Sequence, residues 1–155
     1  ALSAALQRTR VVGRLDSRQI SWRGREIALL LDVGHNPHAA SYLARRLEQR
    51  PVDGRRLAVF GLLADKDLNG VLEAMSSCIA DWAVAPLPTP RTQSATQLAA
   101  ALLERGASVS QYASFEQALD AQCAKAEADD EVVVFGSFYC VAAALDWLEQ
   151  RAGES

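Results

Sequence analysis

The stretch Ile27-Ala28-Leu29-Leu30-Leu31-Asp32-Val33-Gly34-His35-Asn36-Pro37-His38 sets an acid, two imidazoles and a helix-start signal directly after an apolar run. The run 27–31 has the length of a buried strand. Asn36-Pro37 reads as an N-cap followed by proline at the first helical position. Asp32 and His35 are therefore expected at the carboxyl end of a strand. In open α/β sheets that edge is where ligands bind, and a helix N-terminus beside it favours anions by about 0.3–1 kcal/mol.

The same alternation recurs along the chain. Strand-type runs at 27–31, 57–60, 81–86, 108–111 and 131–135 are each followed by a helical pattern, at 37–50, 67–78, 94–105, 114–126 and 137–150. Five successive strand-helix units argue for an α/β fold, a Rossmann-like, mainly parallel sheet with helices on both faces. Ser94 and Ser114 are candidate N-caps, Ser114 with Gln117 has the spacing of a capping box, and Gly106 suits a C-cap after Arg105. Leu98, Ala101, Leu102 and Arg105 share one helical face, as do Leu119, Cys123 and Ala126. Both stripes read as core. Ahead of these units, Val11-Val12-Gly13-Arg14 leads into Gln19-Ile20-Ser21-Trp22, a hairpin candidate whose turn includes Arg23-Gly24-Arg25. The segment 1–11 reads as an interdomain linker remnant, 12–150 as one domain and 151–155 as a tail, and a first residue that is alanine fits a fragment of a longer protein.

Composition narrows the class. At 155 residues the chain fits one domain that can bury a core without metals or disulfides. Half of its residues are apolar and the net charge is −3, with no basic patch to draw it to nucleic acid or an anionic membrane. Cys78, Cys123 and Cys140 match neither a Cys-x-x-Cys pair nor a zinc spacing, and are expected as buried free thiols in a reducing compartment. No apolar stretch reaches the roughly 18–20 residues of a membrane span and no signal-peptide pattern opens the chain, so the cytoplasm is the working expectation.

A phosphate-cradling loop is missing from the sequence: it contains neither G-x-x-x-x-G-K-[ST] nor G-x-G-x-x-G. Gly61 and Gly136 stand alone at strand ends, where each permits a tight turn. Asp32-x-x-His35-x-x-His38 admits three readings. As metal ligands, the three residues would come from a strand end, a turn and a helix, and their convergence on one ion is not given by the spacing. As local structure, Asp32 would accept backbone amides while the imidazoles are solvated. As a nucleotide site, the carboxylate would accept from ribose hydroxyls and the imidazole would donate to phosphate or stack on a ring. Three other strand ends carry chemistry. Lys66 lies between Asp65 and Asp67, with Asp67 an N-cap candidate; Pro86-Leu87-Pro88-Thr89-Pro90 stiffens a loop presenting Arg91; Gly136-Ser137-Phe138-Tyr139 offers a hydroxyl at a helix start without a G-x-S-x-G elbow.

Four of these blocks together, Leu31-Asp-Val-Gly-His-Asn-Pro-His-Ala-Ala, Phe60-Gly-Leu-Leu-Ala-Asp-Lys-Asp, Pro88-Thr-Pro-Arg and Val134-Phe-Gly-Ser-Phe-Tyr, resemble in order and spacing the C-terminal domain of bacterial folylpolyglutamate synthase/dihydrofolate synthase. That family shares its architecture with the Mur peptide ligases. Gly13-Arg14 resembles the pair that opens this domain, and the similarity runs from about Val12 to Leu148. The chain departs from the family pattern in having Gly34 for alanine, Leu15 for an aromatic, and Thr92 where glycine is frequent.

The resemblance implies an ATP-dependent amide ligase in which a carboxylate of dihydropteroate or folate is phosphorylated and the amine of L-glutamate attacks the acyl phosphate. It also implies that the P-loop and the Mg2+ ligands belong to a central domain outside this chain, which would be this domain's partner. By matching motif, Asp32 would bind the ATP ribose, His35 would lie beside the nucleotide and reacting phosphate, and Arg14 would clamp the phosphates, which a planar guanidinium suits. Lys66 and Ser137 would serve the glutamate and acyl-phosphate side, and Arg14, His35 and Lys66 would be the catalytic residues. No metal ligand is expected among these residues. A Mur-type cell-wall ligase domain and a non-catalytic nucleotide-binding module remain the alternatives.

Overall fold

The structure, a computed structural model, describes residues 16–50 and 52–154, with nothing placed for the side chains of residues 25 and 151–154. Arg14, Leu15 and the expected linker 1–11 lie outside the described residues. Six strands form one sheet: β1 (Asp16–Trp22), β2 (Arg25–Leu31), β3 (Arg56–Phe60), β4 (Asp81–Val84), β5 (Val109–Gln111) and β6 (Glu131–Phe135). Five helices connect or follow them: α1 (Pro37–Glu48), α2 (Leu68–Met75), α3 (Ala95–Glu104), α4 (Phe115–Lys125) and α5 (Phe138–Glu154), with a 3-10 turn at Ser76–Cys78. The strand order is β1-β2-β6-β3-β4-β5, and only the β1–β2 pair is antiparallel. The expected Rossmann-like α/β sheet is what forms.

The strands are apolar without alternation because both sheet faces are covered. Leu29, Leu31, Leu57, Val59, Val132 and Val134 pack toward α4 and α5, against Phe115, Leu119, Cys140 and Trp147. Their neighbours Leu30, Ala58, Phe60, Val133 and Phe135 point the other way, toward Leu43, Leu72 and Leu102 of α1, α2 and α3. Phe60, Trp82 and Phe135 meet in this second layer with ring centroids 4.8–5.7 Å apart. Each fully buried side chain of this kind stabilises the fold by about 1.5–3 kcal/mol. The antiparallel hairpin adds Trp22, which stacks on Trp147.

Punctuation is local and mostly as read. Asn36, Asp67, Ser94 and Ser114 each accept an amide as N-caps. The full capping box, however, forms at Ser94–Gln97; at α4 Gln117 reaches back to the amide of Ala113 instead of Ser114. The core face of α3 is Leu98, Ala99 and Leu102, and Arg105 swings outward to donate to the Asn69 carbonyl. Cys123 and Cys140 are buried free thiols, whereas Cys78 is only half-buried at the end of the 3-10 turn. The hairpin turns on Arg23 and Gly24, both at positive φ, while Arg25 already pairs in β2.

The connections place the candidate site. From β2 the chain crosses by α1 to β3, leaving a gap that β6 fills only after β4 and β5 have been laid down on the far side. The carboxyl ends of β2, β6 and β3 thereby become neighbours, although they are residues 31, 135 and 60.

Candidate functional site

At the carboxyl end of β2, Asp32 still belongs to the sheet through its amide, which donates to the Val134 carbonyl at 3.0 Å. The backbone then turns left-handed at Gly34 (φ +43°), and the Gly34 amide donates to Asp32 Oδ1 at 2.9 Å. A left-handed φ suits glycine, so the departure at Gly34 accommodates the turn. Asp32 is 7% exposed and, among the described residues, accepts this single hydrogen bond. Burial pushes its carboxyl up from 3.8 to about 6, against the opposing pull of the Gly34 amide and the Arg46 charge. One oxygen thus performs the local capping role, and the other lacks a donor among the described residues.

Two close approaches lock this turn to its neighbours. The Gly136 amide donates to the Val33 carbonyl at 2.7 Å, and Gly136 takes φ +121° with its α-carbon packed so close to the Gly61 carbonyl that a Cβ would collide with it. Gly70, in the first turn of α2, sits against the Pro37 ring, where a Cβ would lie 2.5 Å from Pro37 Cγ. The β2, β3 and β6 ends are consequently held in van der Waals contact.

A cleft of about 180 Å³ opens above them, lined by His35, Leu63, Lys66, Ser137, Phe138 and Tyr139. Three residues singled out from the sequence, His35, Lys66 and Ser137, converge here from three separate strand ends. Asp32 lies outside the lining, at the base of the His35 turn, and His38 is exposed on the first turn of α1. Asp32, His35 and His38 do not form a three-ligand cluster, and among the described residues no other group of three metal-binding side chains does.

The side chains differ in how far they are already engaged. Lys66 makes no ion pair among the described residues; its loop is held by the Arg91 carbonyl, which accepts from the Ala64 amide, and by the buried Gln93, which donates to the Leu63 carbonyl at 3.1 Å. The role of the 86–93 loop is thus to brace the lysine loop from behind, through Gln93 and the Arg91 backbone, while the Arg91 side chain is exposed. Thr92 accepts from the Leu87 amide at 2.8 Å, which closes that loop on itself. Ser137 is 2% exposed and caps α5 by accepting from the Tyr139 amide at 2.8 Å, with its hydroxyl also hydrogen-bonded to the Cys140 thiol. His35 has its Nδ1 buried without a partner and its Nε2 3.5 Å from Asn36 Nδ2. Burial first, and then the Lys66 charge, lower its basicity, with Asp65 opposing. Beneath the cleft Cys140 contacts the Gly61 carbonyl, and complete burial pushes its thiol up to about 12, so it is no nucleophile.

The sequence reading missed Phe138 and Tyr139 as cleft walls. Phe138 is 55% exposed beside them, unusual for a large apolar side chain, and only the helix phase of α5 could have signalled it. A second cavity of about 210 Å³ lies between the β4–α3 and β5–α4 loops, lined by Pro86, Leu87, Pro88 and Phe115 among others. Its lining is mainly apolar, with Ser114 and Glu116 and without a cation or imidazole.

Comparison with known proteins finds relatives over most of this chain. Among the relatives is the Escherichia coli (strain K12) dihydrofolate synthase/folylpolyglutamate synthase, 44% identical over 123 residues that cover 79% of this chain and 28% of that protein. The Haemophilus influenzae enzyme of the same name is 40% identical over 119 residues, covering 74% and 27%. The E. coli FolC complex with ADP superposes with a TM-score of 0.75 at 43% identity, over 81% of this chain and 30% of that one. A bifunctional folylpolyglutamate synthase/dihydrofolate synthase with Mn, AMPPNP and L-glutamate bound gives 0.75 at 40% identity, over 85% and 30%. The chain therefore spans less than a third of the length of these relatives. The profile of the family described as "Mur ligase, glutamate ligase domain" matches residues 13–138, and the chain belongs to that family.

Proposed function

We propose that this chain is the C-terminal domain of an ATP-dependent amide ligase that adds L-glutamate to dihydropteroate or folate, and that it acts only with a P-loop domain carried elsewhere on a longer protein. The observation that carries this reading is the convergence of His35, Lys66 and Ser137 on one cleft above the buried Asp32, in a chain without a phosphate-gripping loop of its own. The relatives' names and their ADP, AMPPNP and L-glutamate complexes supply the substrates. Residues 12–150 are the domain in this reading, 1–11 the linker to the P-loop domain and 151–155 a tail. The protein works in the cytoplasm; among the described residues no helix is long and apolar enough to cross a membrane.

Each side chain has a task its surroundings suit. The open oxygen of Asp32 accepts from a ribose hydroxyl, which offsets the cost of burying its charge. Nearby, His35 donates to a phosphate oxygen. Arg14 closes on the phosphates as a bidentate clamp. The unpaired Lys66 ammonium and the Ser137 hydroxyl hold a carboxylate of the incoming glutamate and the developing charge on the acyl phosphate. In the reaction, the acceptor carboxylate takes the γ-phosphoryl group of ATP and ADP leaves. The glutamate amine, having lost a proton, then forms the C–N bond as the C–O bond to phosphate breaks. Positioning across a closing cleft contributes most of the rate. Mg2+, when bound, would be held by residues of the P-loop domain and would supply charge neutralisation at the phosphates.

The test separates this chain from its parent. The isolated chain should bind ATP weakly and form no product from ATP, glutamate and dihydropteroate, whereas the longer protein should. Product from the isolated chain would overturn the assignment of the phosphate site to another domain; turnover of a UDP-muramoyl acceptor would replace the folate reading with a cell-wall one. In the longer protein Asp32→Ala or His35→Ala should each cost about tenfold or more in kcat/KM, the loss of one charge-assisted hydrogen bond, and unchanged kinetics in both would remove the site.

A further inference from the structure

The turn that carries Lys66 is closed by a side chain from another part of the fold. Residues 63–66 double back so that the Lys66 amide donates to the Leu63 carbonyl at 3.2 Å. Gln93 reaches this turn from the β4–α3 loop, and its Nε2 donates to the carbonyls at both ends, Leu63 at 3.1 Å and Lys66 at 3.5 Å. Carbonyl oxygens only accept, so the nitrogen end of the carboxamide is the one that faces them. Gln93 is itself 8% exposed and anchored on both sides. Its amide donates to the Leu62 carbonyl at 2.9 Å, its carbonyl accepts from the Thr92 hydroxyl at 2.8 Å, and the next residue is the Ser94 N-cap of α3. The near side of the turn is fixed by the Ala64 amide, which donates to the Arg91 carbonyl at 2.7 Å, and by a bridge between Leu63 and Thr92. On its far side Asp67 is held as the N-cap of α2, accepting from the Gly70 amide at 3.1 Å.

We propose that Gln93 is a positioning residue for Lys66: by stapling the two ends of the 63–66 turn it fixes the backbone from which the Lys66 ammonium reaches into the cleft. Among the described residues the ammonium has no ion pair, so no partner charge holds it and its placement is set from its backbone anchor. Without the carboxamide, the bond from the Lys66 amide to the Leu63 carbonyl is what remains across the ends of the turn. Small errors of this kind matter to a reaction that depends on positioning, where a misplacement of about 1 Å can cost on the order of 100-fold in rate. The staple follows from the geometry alone; its consequence for catalysis rests on the ligase reading above, in which Lys66 serves the glutamate and acyl-phosphate side.

Amide hydrogen exchange on the 155-residue chain tests the staple. Gln93→Met keeps an unbranched side chain of similar length without a donor, and Gln93→Glu keeps the shape but turns an acceptor toward the two carbonyls. Exchange of the Lys66 amide should accelerate about tenfold or more in the first variant and at least as much in the second, while the amides of β3 and β6 exchange as in the wild type. An unchanged Lys66 amide would overturn the staple, and so would an acceleration spread evenly over the sheet in both variants, which would make Gln93 a general structural residue. A double-mutant cycle in the longer protein tests the consequence. Gln93→Met should lower kcat/KM for glutamate about tenfold with KM for ATP unchanged, and should cost nothing further in the Lys66→Ala background, because it acts through that lysine. Additive losses would overturn the positioning role. Full activity of Lys66→Ala would overturn it together with the task given to Lys66, while the exchange result would still decide the staple. A wild-type longer protein that forms no glutamate amide would overturn the ligase reading and leave the staple in place.

Discussion

The two ends of the parallel sheet treat their buried acids in opposite ways. At the amino edge every one is matched. Glu131 is gripped by Arg56 at 3.0 Å and Arg50 at 2.9 Å, Asp130 by the Arg55 guanidinium and the Arg55 and Glu127 amides, and Asp81 by Lys125 and the Ser108 hydroxyl. These partners outweigh burial and hold the carboxyls of Asp81 and Asp130 below the ordinary value. At the carboxyl edge Asp32 has, among the described residues, one amide and the charge of Arg46, and burial wins. The amino edge resembles a finished structure, whereas the carboxyl edge carries an unmet demand for donors and acceptors. The proposed function places its ligand at the edge that carries this deficit.

The contrast can be tested by removing groups from each edge. Glu131→Ala leaves Arg56, only 10% exposed at its side chain, with an uncompensated charge, and should cost about 3–5 kcal/mol in urea unfolding followed by tryptophan fluorescence. A loss below about 1 kcal/mol would mean the amino-edge network is not structural. Gly136→Ala at the opposite edge introduces a Cβ into the Gly61 carbonyl at a left-handed φ; about 2–4 kcal/mol should be lost by the same measurement, and cleft ligands should weaken.

Asp32→Asn should move stability the other way, because it keeps an acceptor for Gly34 while deleting a poorly matched charge. With the carboxyl raised from 3.8 to about 6, the gain at pH 7 is up to about 3 kcal/mol. The sign follows from proton uptake: the folded state holds the Asp32 proton more tightly than the unfolded chain does. Its contribution is therefore fully present below pH 4 and is lost as pH rises through 6. The advantage of Asp32→Asn should grow across that window and level off above it; a flat difference would show that Asp32 is not desolvated. Asp81 and Asp130 have the opposite dependence, present above about pH 4 and lost as pH falls below it toward their lowered values. Finally, Lys66→Ala should change stability by less than about 0.5 kcal/mol, since the ammonium has no ion pair to lose, while suppressing activity of the longer protein. A large stability loss would make Lys66 a structural residue.

Much of this was legible before any coordinates. The apolar runs located the parallel strands to within a residue or two, since a strand buried on both faces has to be apolar throughout. Asn36-Pro37, Asp67, Ser94 and Ser114 announced helix starts because capping is a matter of a few adjacent atoms. Helix ends were less readable: α1 stops at Glu48, closed by the Gln49 amide, and α2 gives way to a 3-10 turn at Ser76, where both the amide and the hydroxyl of Ser76 donate to the Leu72 carbonyl. Gln117 was read as half of a capping box, and the choice between the Ser114 and Ala113 amides is one of geometry that spacing does not contain.

The chain by itself determined that the candidates Asp32, His35, Lys66 and Ser137 follow strands at their carboxyl ends, because periodicity and capping are local properties. What it could not determine is that β6 inserts between β2 and β3, which alone makes His35, Ser137 and Lys66 neighbours across separations of tens of residues. Strand order depends on which connections cross which face, a long-range choice made by packing two helices on one side and three on the other. The same packing decided that Asp32 would be buried with one hydrogen bond while Asp81 and Asp130 would be fully matched. Desolvation is a property of the assembled interior, and no carboxylate's neighbours in sequence reveal it.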